Sequence, residues 1–325
     1  MNSRNNILIT SAGQRVSLVK FFKEELKAVL PNAKIIAVDA NPKLAPACYI
    51  ADFYEQIPKV SSPNYIKVLL EVCDKWLIKV IVPTIDTELL ILSENKTLFE
   101  DKGISIVVSD ESFIIKCRDK RKTNLFFEEN SIEIPNQMDK NSLTYPLFIK
   151  PYDGSLSKDI FLIKSENELT LEMKNNPKFM FMEYINSDEF DEYTVDAYYG
   201  KDNLVKCVIP RKRIFVRAGE VNKGVTIHNE LVDLVKDKLN YIEGAIGCLT
   251  IQFFFNSKTK RIVGIEINPR FGGGYPLSYL AGGNFPKWII KEYFFEESIE
   301  YMESWKSNLL MLRYDAEVLV ENYED

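Results

Sequence analysis

The chain has 325 residues and a formal net charge of −6. It is 46% hydrophobic and 27% charged, which suits a globular protein of two or three domains and speaks against a general nucleic-acid binder. Five scattered cysteines without a C-x-x-C pair argue against a disulfide frame or zinc site and for reduced thiols in a cytoplasm. No signal-peptide core precedes ILITSAG, no apolar run reaches membrane-spanning length, and the single histidine, His228, excludes a His-pair hydrolase.

The first segment alternates strand and helix. Ile7–Thr10 reads as a buried strand and Arg15–Leu30 as a helix with Val16, Val19, Phe22 and Leu26 on one stripe. Strands at Ile35–Asp39, Val80–Pro83 and Ser105–Val108 alternate with helices at Tyr65–Lys75 and Glu88–Phe99. This is the pattern of a parallel sheet covered on both faces, whose ligands sit at the carboxyl ends of the strands. Those ends carry Gly13–Arg15, Asp39–Asn41 and Thr84–Glu88. Singly they read as turn and cap chemistry; together they can line one wall of an acceptor pocket. Neither a G-x-G-x-x-G nor a P-loop pattern is present.

A helical stretch over Phe113–Asn130 contains the charge run Asp119–Thr123, an ordinary solvated face on composition alone. The strand Tyr145–Lys150 ends in a lysine, and a buried ammonium requires an anionic partner. The loop Gly154–Ser157 follows, with hydroxyls at Ser155 and Ser157, and then a helix over Glu166–Asn175. Phe179–Ile185 is an apolar strand with one carboxylate, Glu183, and Glu192–Asp196 opens the next strand. Between Val208 and Gly224 the basic residues Arg211, Lys212, Arg213, Arg217 and Lys223 face one acid, Glu220. Such a cluster can hold an anionic substrate, with Arg213 and Arg217 on one face of a strand, or form a solvated hairpin.

A helix over Asn229–Ile246 leads to LTIQFFFNSKTKRIVGIEINPRFGGGYP, two strand-like runs around a polar turn. An antiparallel hairpin centred near Thr259 puts Gln252 opposite Glu266, and alternation puts Asn268 on the face of Glu266. Three oxygen-bearing side chains on one patch suit Mg²⁺. Arg270 can grip an anion, and Gly272, Gly273 and Gly274 leave backbone bare for a ligand. A helix over Ala281–Phe295 follows, and LLMLRYDAEVLV in the tail reads as a strand packed on the body.

The spacing of Gln252, Glu266, Asn268 and Arg270 resembles the ATP-grasp superfamily, most closely the nucleotide-binding half-domains of the carbamoyl-phosphate synthetase large chain and their stand-alone relatives. The resemblance covers roughly residues 7–295. It implies an α/β chain with two α+β subdomains sandwiching ATP, preceded by a Rossmann-like parallel-sheet domain. The expected divisions are 1–111, 112–185 as the lid and 186–325 with the metal site. It implies that Gln252, Glu266 and Asn268 hold two Mg²⁺ ions, with Mn²⁺ as an alternative, and that Lys150 and Arg270 act on the phosphoryl group. Lys120 (or Arg118 or Lys122), Lys150, Ser155 and Ser157 would contact phosphates. Glu183, Tyr184 and Ile185 would meet adenine, and Glu192 the ribose. Lys158 and Asp159 stand where the family commonly has glycine. Arg213, Arg217, Lys223, Arg270 and Gly272–Gly274 are then the acceptor candidates. The implied activity is an ATP-dependent carboxylate–amine or carboxylate–thiol ligase acting through an acyl phosphate, in a cytoplasmic chain that binds small molecules and can form a homodimer. A phosphotransferase and a non-catalytic nucleotide-binding regulator are the alternatives.

Overall fold

The computed structural model describes residues 4–154, 159–217 and 219–323. Strands β1 (Asn6–Ile9), β2 (Ile35–Asp39), β3 (Phe53–Gln56), β4 (Ile78–Val82) and β5 (Ser105–Ile106) form a sheet in the order β3-β2-β1-β4-β5, paired parallel throughout. Its central strands are apolar on both faces because helices cover both; Ile7, Leu8, Ile9, Ile35, Ile36 and Val38 are fully buried. Strand order reverses between β1 and β4, where loops diverge and leave a crevice. The buried Glu88 ties that point together. Its carboxylate accepts from Thr84 N (2.8 Å), Ser11 Oγ (2.9 Å), Tyr65 OH (3.0 Å) and Ile85 N (3.2 Å), and burial raises its pKa.

Strands β6 (Leu147–Pro151), β7 (Phe161–Ile163) and β8 (Phe179–Glu183) form a small antiparallel sheet ordered β7-β6-β8. Strands β9 (Asp191–Tyr199), β10 (Val205–Arg217), β11 (Glu220–Thr226), β12 (Gly247–Phe255), β13 (Ile262–Asn268) and β14 (Leu310–Leu312) form the large antiparallel sheet, ordered β13-β12-β9-β10-β11-β14. Period-two alternation divides its faces. Leu249, Ile251, Phe253 and Phe255 are buried on the side where Phe127 meets Phe253 at 6.0 Å between ring centroids. Thr250, Gln252 and Phe254 take the other side and register with Asp196, Thr194 and Glu192 of β9.

That second face is closed at one end by a buried ion pair. Arg211 Nε and Nη2 donate to Asp196 at 2.8 and 3.0 Å, and Ser278 Oγ donates to the same carboxylate at 2.6 Å. Both charged residues are at most 1% exposed.

Several elements depart from the sequence expectation. The helix over Phe113–Asn130 is two helices, Glu111–Arg118 and Lys120–Glu129, because Asp119 is extended and caps the second through Arg121 N. Glu88–Phe99 is also two helices, Asp86–Glu94 and Lys96–Glu100, divided at Asn95. The helix expected over Asn229–Ile246 ends at Lys238, and the one over Ala281–Phe295 spans Phe285–Phe294. Helix Tyr275–Ala281 and strands β3 and β7 are additional, and only Leu310–Leu312 of the tail is strand. No helix among the described residues is long and apolar enough to cross a membrane.

Removing one partner of a buried ion pair leaves the other charge unpaired, a loss on the order of 3–5 kcal/mol. Asp196→Ala should lower the denaturant-unfolding free energy by about that amount; a loss under about 1 kcal/mol would mean that Arg211 finds another partner.

Candidate active site

The hairpin forms as the spacing predicts. Gln252 pairs with Glu266 in register, and Thr250 with Asn268. Gln252 Nε2 and Asn268 Nδ2 both donate to Glu266 Oε1, at 2.7 and 3.0 Å. Lys120 Nζ lies 3.7 Å from Glu266 Oε2 and donates to Gly154 O at 2.7 Å. Helix 120–129 aims that lysine, since Lys120 N is held by Tyr152 O at 2.9 Å and the helix starts at this residue.

Lys150, near the end of β6, faces the same carboxylate from the small sheet. It is 7% exposed, with no carboxylate at ion-pair distance among the described residues. Burial, then the neighbouring Lys120, pulls its pKa down to about 8, against an opposing pull from Glu266. Two ammonium groups therefore share one carboxylate. The site lacks negative charge, which is what a phosphate chain supplies.

The donor set fits a hard cation only in that company. Among the described residues no group of three or more His, Cys, Asp or Glu side chains could hold a metal. Gln252 and Asn268 would contribute amide oxygens beside the single carboxylate of Glu266, and magnesium completes such sparse protein sets with phosphate oxygens and water.

Further along the same face, Glu192 sits beside Phe254 in register. Burial raises its carboxyl pKa, opposed by Arg213, whose Nε lies 3.2 Å away without hydrogen-bond alignment. Beyond it Ile185, Phe190 and Val263 are buried together with Phe254 packed on them, a small apolar cluster close in the chain to the half-buried Tyr184. Glu183 does not fit its expected role. Its carboxylate is spanned by Arg261 Nη1 and Nη2, both at 3.1 Å, and by Asn136 N and Nδ2 at 3.1 and 3.0 Å. These contacts latch the small sheet to the hairpin turn. Ser155 and Ser157 lie outside the described residues.

The expected acceptor residues divide. Arg270 stays at the site, with Nε and Nη2 donating to Asp86 Oδ2 at 2.8 and 2.5 Å. Arg213, Arg217 and Lys223 do not gather there. Register shifts on either side of Phe215 break the alternation that would have put Arg213 and Arg217 on one face. Arg213 turns to Glu192, Arg217 pairs with Asp315 at the exposed end of β10, and exposed Lys223 lies over the Phe215 ring.

Arg15 and Arg313 stand near Arg270 instead. Both reach Glu220, Arg15 Nη1 at 3.4 Å and Arg313 Nη1 at 3.2 Å, and Arg313 also donates to Gly273 O. Burial lowers the Arg15 guanidinium pKa; Glu220 and Asp86 oppose this, while Arg270 and Arg313 reinforce it. Arg15 was legible at the end of β1, but Arg313 was read only as part of an apolar tail. The glycine run is bare because its neighbours press on it. A Cβ at Gly273 would meet the Glu220 carboxylate at 2.3 Å, and one at Gly274 would meet Arg211 Nη1 at 2.2 Å. That Nη1 is buried and has no hydrogen-bond partner.

Residues 117–274 match the model of an ATP-grasp domain, and residues 7–107 match that of a PylC-like N-terminal domain. The chain carries an ATP-grasp domain. No curated protein sequence matches it. Among solved structures the ATP-grasp chain is similar to the biotin carboxylase domain dimer of Hydrogenobacter thermophilus 2-oxoglutarate carboxylase, solved with MgADP, ADP and bicarbonate. The TM-score is 0.70 and the identity 16%, over 95% of this chain and 74% of that one. It is similar to biotin carboxylase from Campylobacter jejuni in a β-γ-ATP complex, with TM-score 0.69, identity 16% and coverage of 94% and 74%. It is also similar to N5-carboxyaminoimidazole synthetase from Staphylococcus aureus, with TM-score 0.69, identity 18% and coverage of 93% and 81%. At these identities the likeness is one of fold.

Two measurements follow from this ATP-grasp site. A phosphate beside Lys150 favours its charged form, so nucleotide binding should raise a pKa that stands at about 8 in the empty protein. Calorimetry of MgADP binding at pH 8 in buffers of different ionisation enthalpy should then report uptake of about half a proton, fading by about pH 6, where Lys150 is already charged, and absent in Lys150→Met. Equal uptake in that variant would remove Lys150 from the phosphates. Gly274→Ala should cost about 1–3 kcal/mol of stability by crowding Arg211, whereas Gly273→Ala should cost less because Glu220 is flexible and half-exposed. Chemical denaturation of both variants checks the order, and equal losses would contradict it.

Proposed function

We propose that this chain is an ATP-dependent ligase that joins a carboxylate to an amine or thiol through an acyl phosphate, releasing ADP and phosphate. One observation carries the reading. The apolar cluster of Ile185 and Phe254, then Glu192, then Gln252 and Glu266 facing Lys120 and Lys150, then Arg270 bonded through its carbonyl to Thr250, follow one another over one face of the large sheet. That sequence of surfaces complements a base, a ribose, a phosphate chain and an acceptor. The ADP and MgADP in the similar structures support ATP as the nucleotide.

In this mechanism the acceptor carboxylate attacks the γ-phosphorus and ADP leaves. The amine or thiol then attacks the acyl carbon, and phosphate leaves. Phosphoryl transfer of this kind needs positioning and charge neutralisation more than covalent help. Lys150 and Lys120 hold the phosphate oxygens, and Glu192 accepts from the ribose hydroxyls. Gln252, Glu266 and Asn268 would hold magnesium, which would add further charge neutralisation. Arg270 and the amides of Gly272–Gly274 stabilise the oxyanion of the tetrahedral adduct. Arg15 and Arg313 join Arg270 in orienting the acceptor anion. The three domains are 1–111, 112–185 and 186–325. A reduced, cytoplasmic setting agrees with five cysteines that are free. A homodimer is part of the proposal, supported by the biotin carboxylase domain dimer among the similar structures.

Incubation with MgATP and mixed panels of acids and amines tests the reading. ADP and phosphate should form only when both acid and nucleophile are present, and hydroxylamine should trap the acyl phosphate as a hydroxamate. Glu266→Gln should lower turnover by about a hundredfold or more while leaving the fold intact, because it removes the one carboxylate of the metal set. A phosphorylated product that accumulates without any nucleophile would instead make the protein a phosphotransferase, and full activity in Glu266→Gln would overturn the metal assignment.

A further inference from the structure

The switch point between β1 and β4 holds a crevice of about 790 Å³ whose walls include Ile57, Pro58, Val60, Leu90 and Ile91. It adjoins the acceptor end of the site. Ile85 and Thr87 line it, and Asp86 between them carries Arg270. Ser11 and Gly13 line it as well, just before Arg15 in the chain.

Lys59, Ser61, Thr87, Glu94 and Arg118 also line it, while the polar groups at the strand ends are already engaged. The Ser11 and Tyr65 hydroxyls both donate to Glu88, at 2.9 and 3.0 Å. Asp39 accepts from Gly13 N through Oδ2 at 3.0 Å and from Asn41 N through Oδ1 at 2.9 Å. An acidic residue at the end of β2 is placed to take ribose hydroxyls in a dinucleotide fold. Here both its oxygens hold loop backbone, so Asp39 is not free to take a sugar. What it offers a ligand is volume and a mostly apolar lining, with Lys59, Glu94 and Arg118 as its charged groups, so burial favours an apolar arm.

We propose that the acceptor is a carboxylic acid with an extended apolar arm, its carboxylate at Arg270 and its arm in this crevice. The inference rests on the ligase reading for the identity of the reacting group, but the crevice has a binding readout of its own. Asp86 then acts as a positioning residue at the threshold, holding Arg270 at the junction of head and arm.

The test is calorimetric titration of the full chain with MgADP present, using ω-phenylalkanoic acids from phenylacetate upwards. Each added methylene should tighten Kd by about fourfold until the crevice is filled. Thr87→Trp, at an exposed position on the crevice wall, should flatten that dependence while leaving MgADP affinity unchanged. Val60→Trp provides the same obstruction from the opposite loop should the first variant fold poorly. A Kd independent of chain length in the unmodified protein, or unaffected by either tryptophan, overturns the proposal. ADP release from ATP in parallel samples reads the ligase separately: no release from any acid, with the chain-length dependence intact, would sink the ligase and leave the crevice as an apolar-acid site.

Discussion

The ammonium of Lys150 is buried with a second ammonium beside it and, among the described residues, one carboxylate, Glu266, facing both. An isolated buried charge is costly, and two like charges near a single counter-charge do not cancel it. Much else at the site answers to that imbalance. Gln252 and Asn268 contribute dipoles but no charge, so a bare divalent cation would meet net repulsion here. A nucleotide with its phosphates at both lysines would reverse the balance and favour the cation. Metal and nucleotide should therefore enter together.

The same electrostatic logic continues across the sheet face. Arg270 is paired with Asp86, and Arg15 and Arg313 share Glu220, so among the described residues these three cations stand with two acids, Asp86 from the parallel-sheet domain and Glu220 from β11. An incoming carboxylate has cations to join without any having been left bare in its absence. Glycines are required where these groups crowd the backbone, and the run at Gly273 and Gly274 is fixed by Glu220 and Arg211 as much as by a ligand.

The parallel sheet was legible because strands buried on both faces read as continuous apolar runs, as in β1 and β2. The β12–β13 hairpin was legible because strand alternation and the length of a turn fix which residues oppose each other, which paired Gln252 with Glu266. Three kinds of feature were not. The irregularity around Phe215 turns Arg217 away from the face of Arg213, and nothing local in RKRIFVR marks it. The latch of Glu183 to Arg261 joins residues 78 apart in sequence, a separation over which pattern says nothing about contact. Arg313 lies in an apolar tail whose docking against Asn222 and Gly273 is decided by tertiary packing.

Occupancy of the cleft gives the strongest check on this picture. The protein crystallised with Mn²⁺ and a non-hydrolysable ATP analogue should give an anomalous peak within ligand distance of the Glu266 carboxylate and the phosphates, with Lys150 Nζ bonded to a phosphate oxygen. A nucleotide lodged away from Lys150, or manganese bound where Glu266 does not touch it, would contradict the picture at its root.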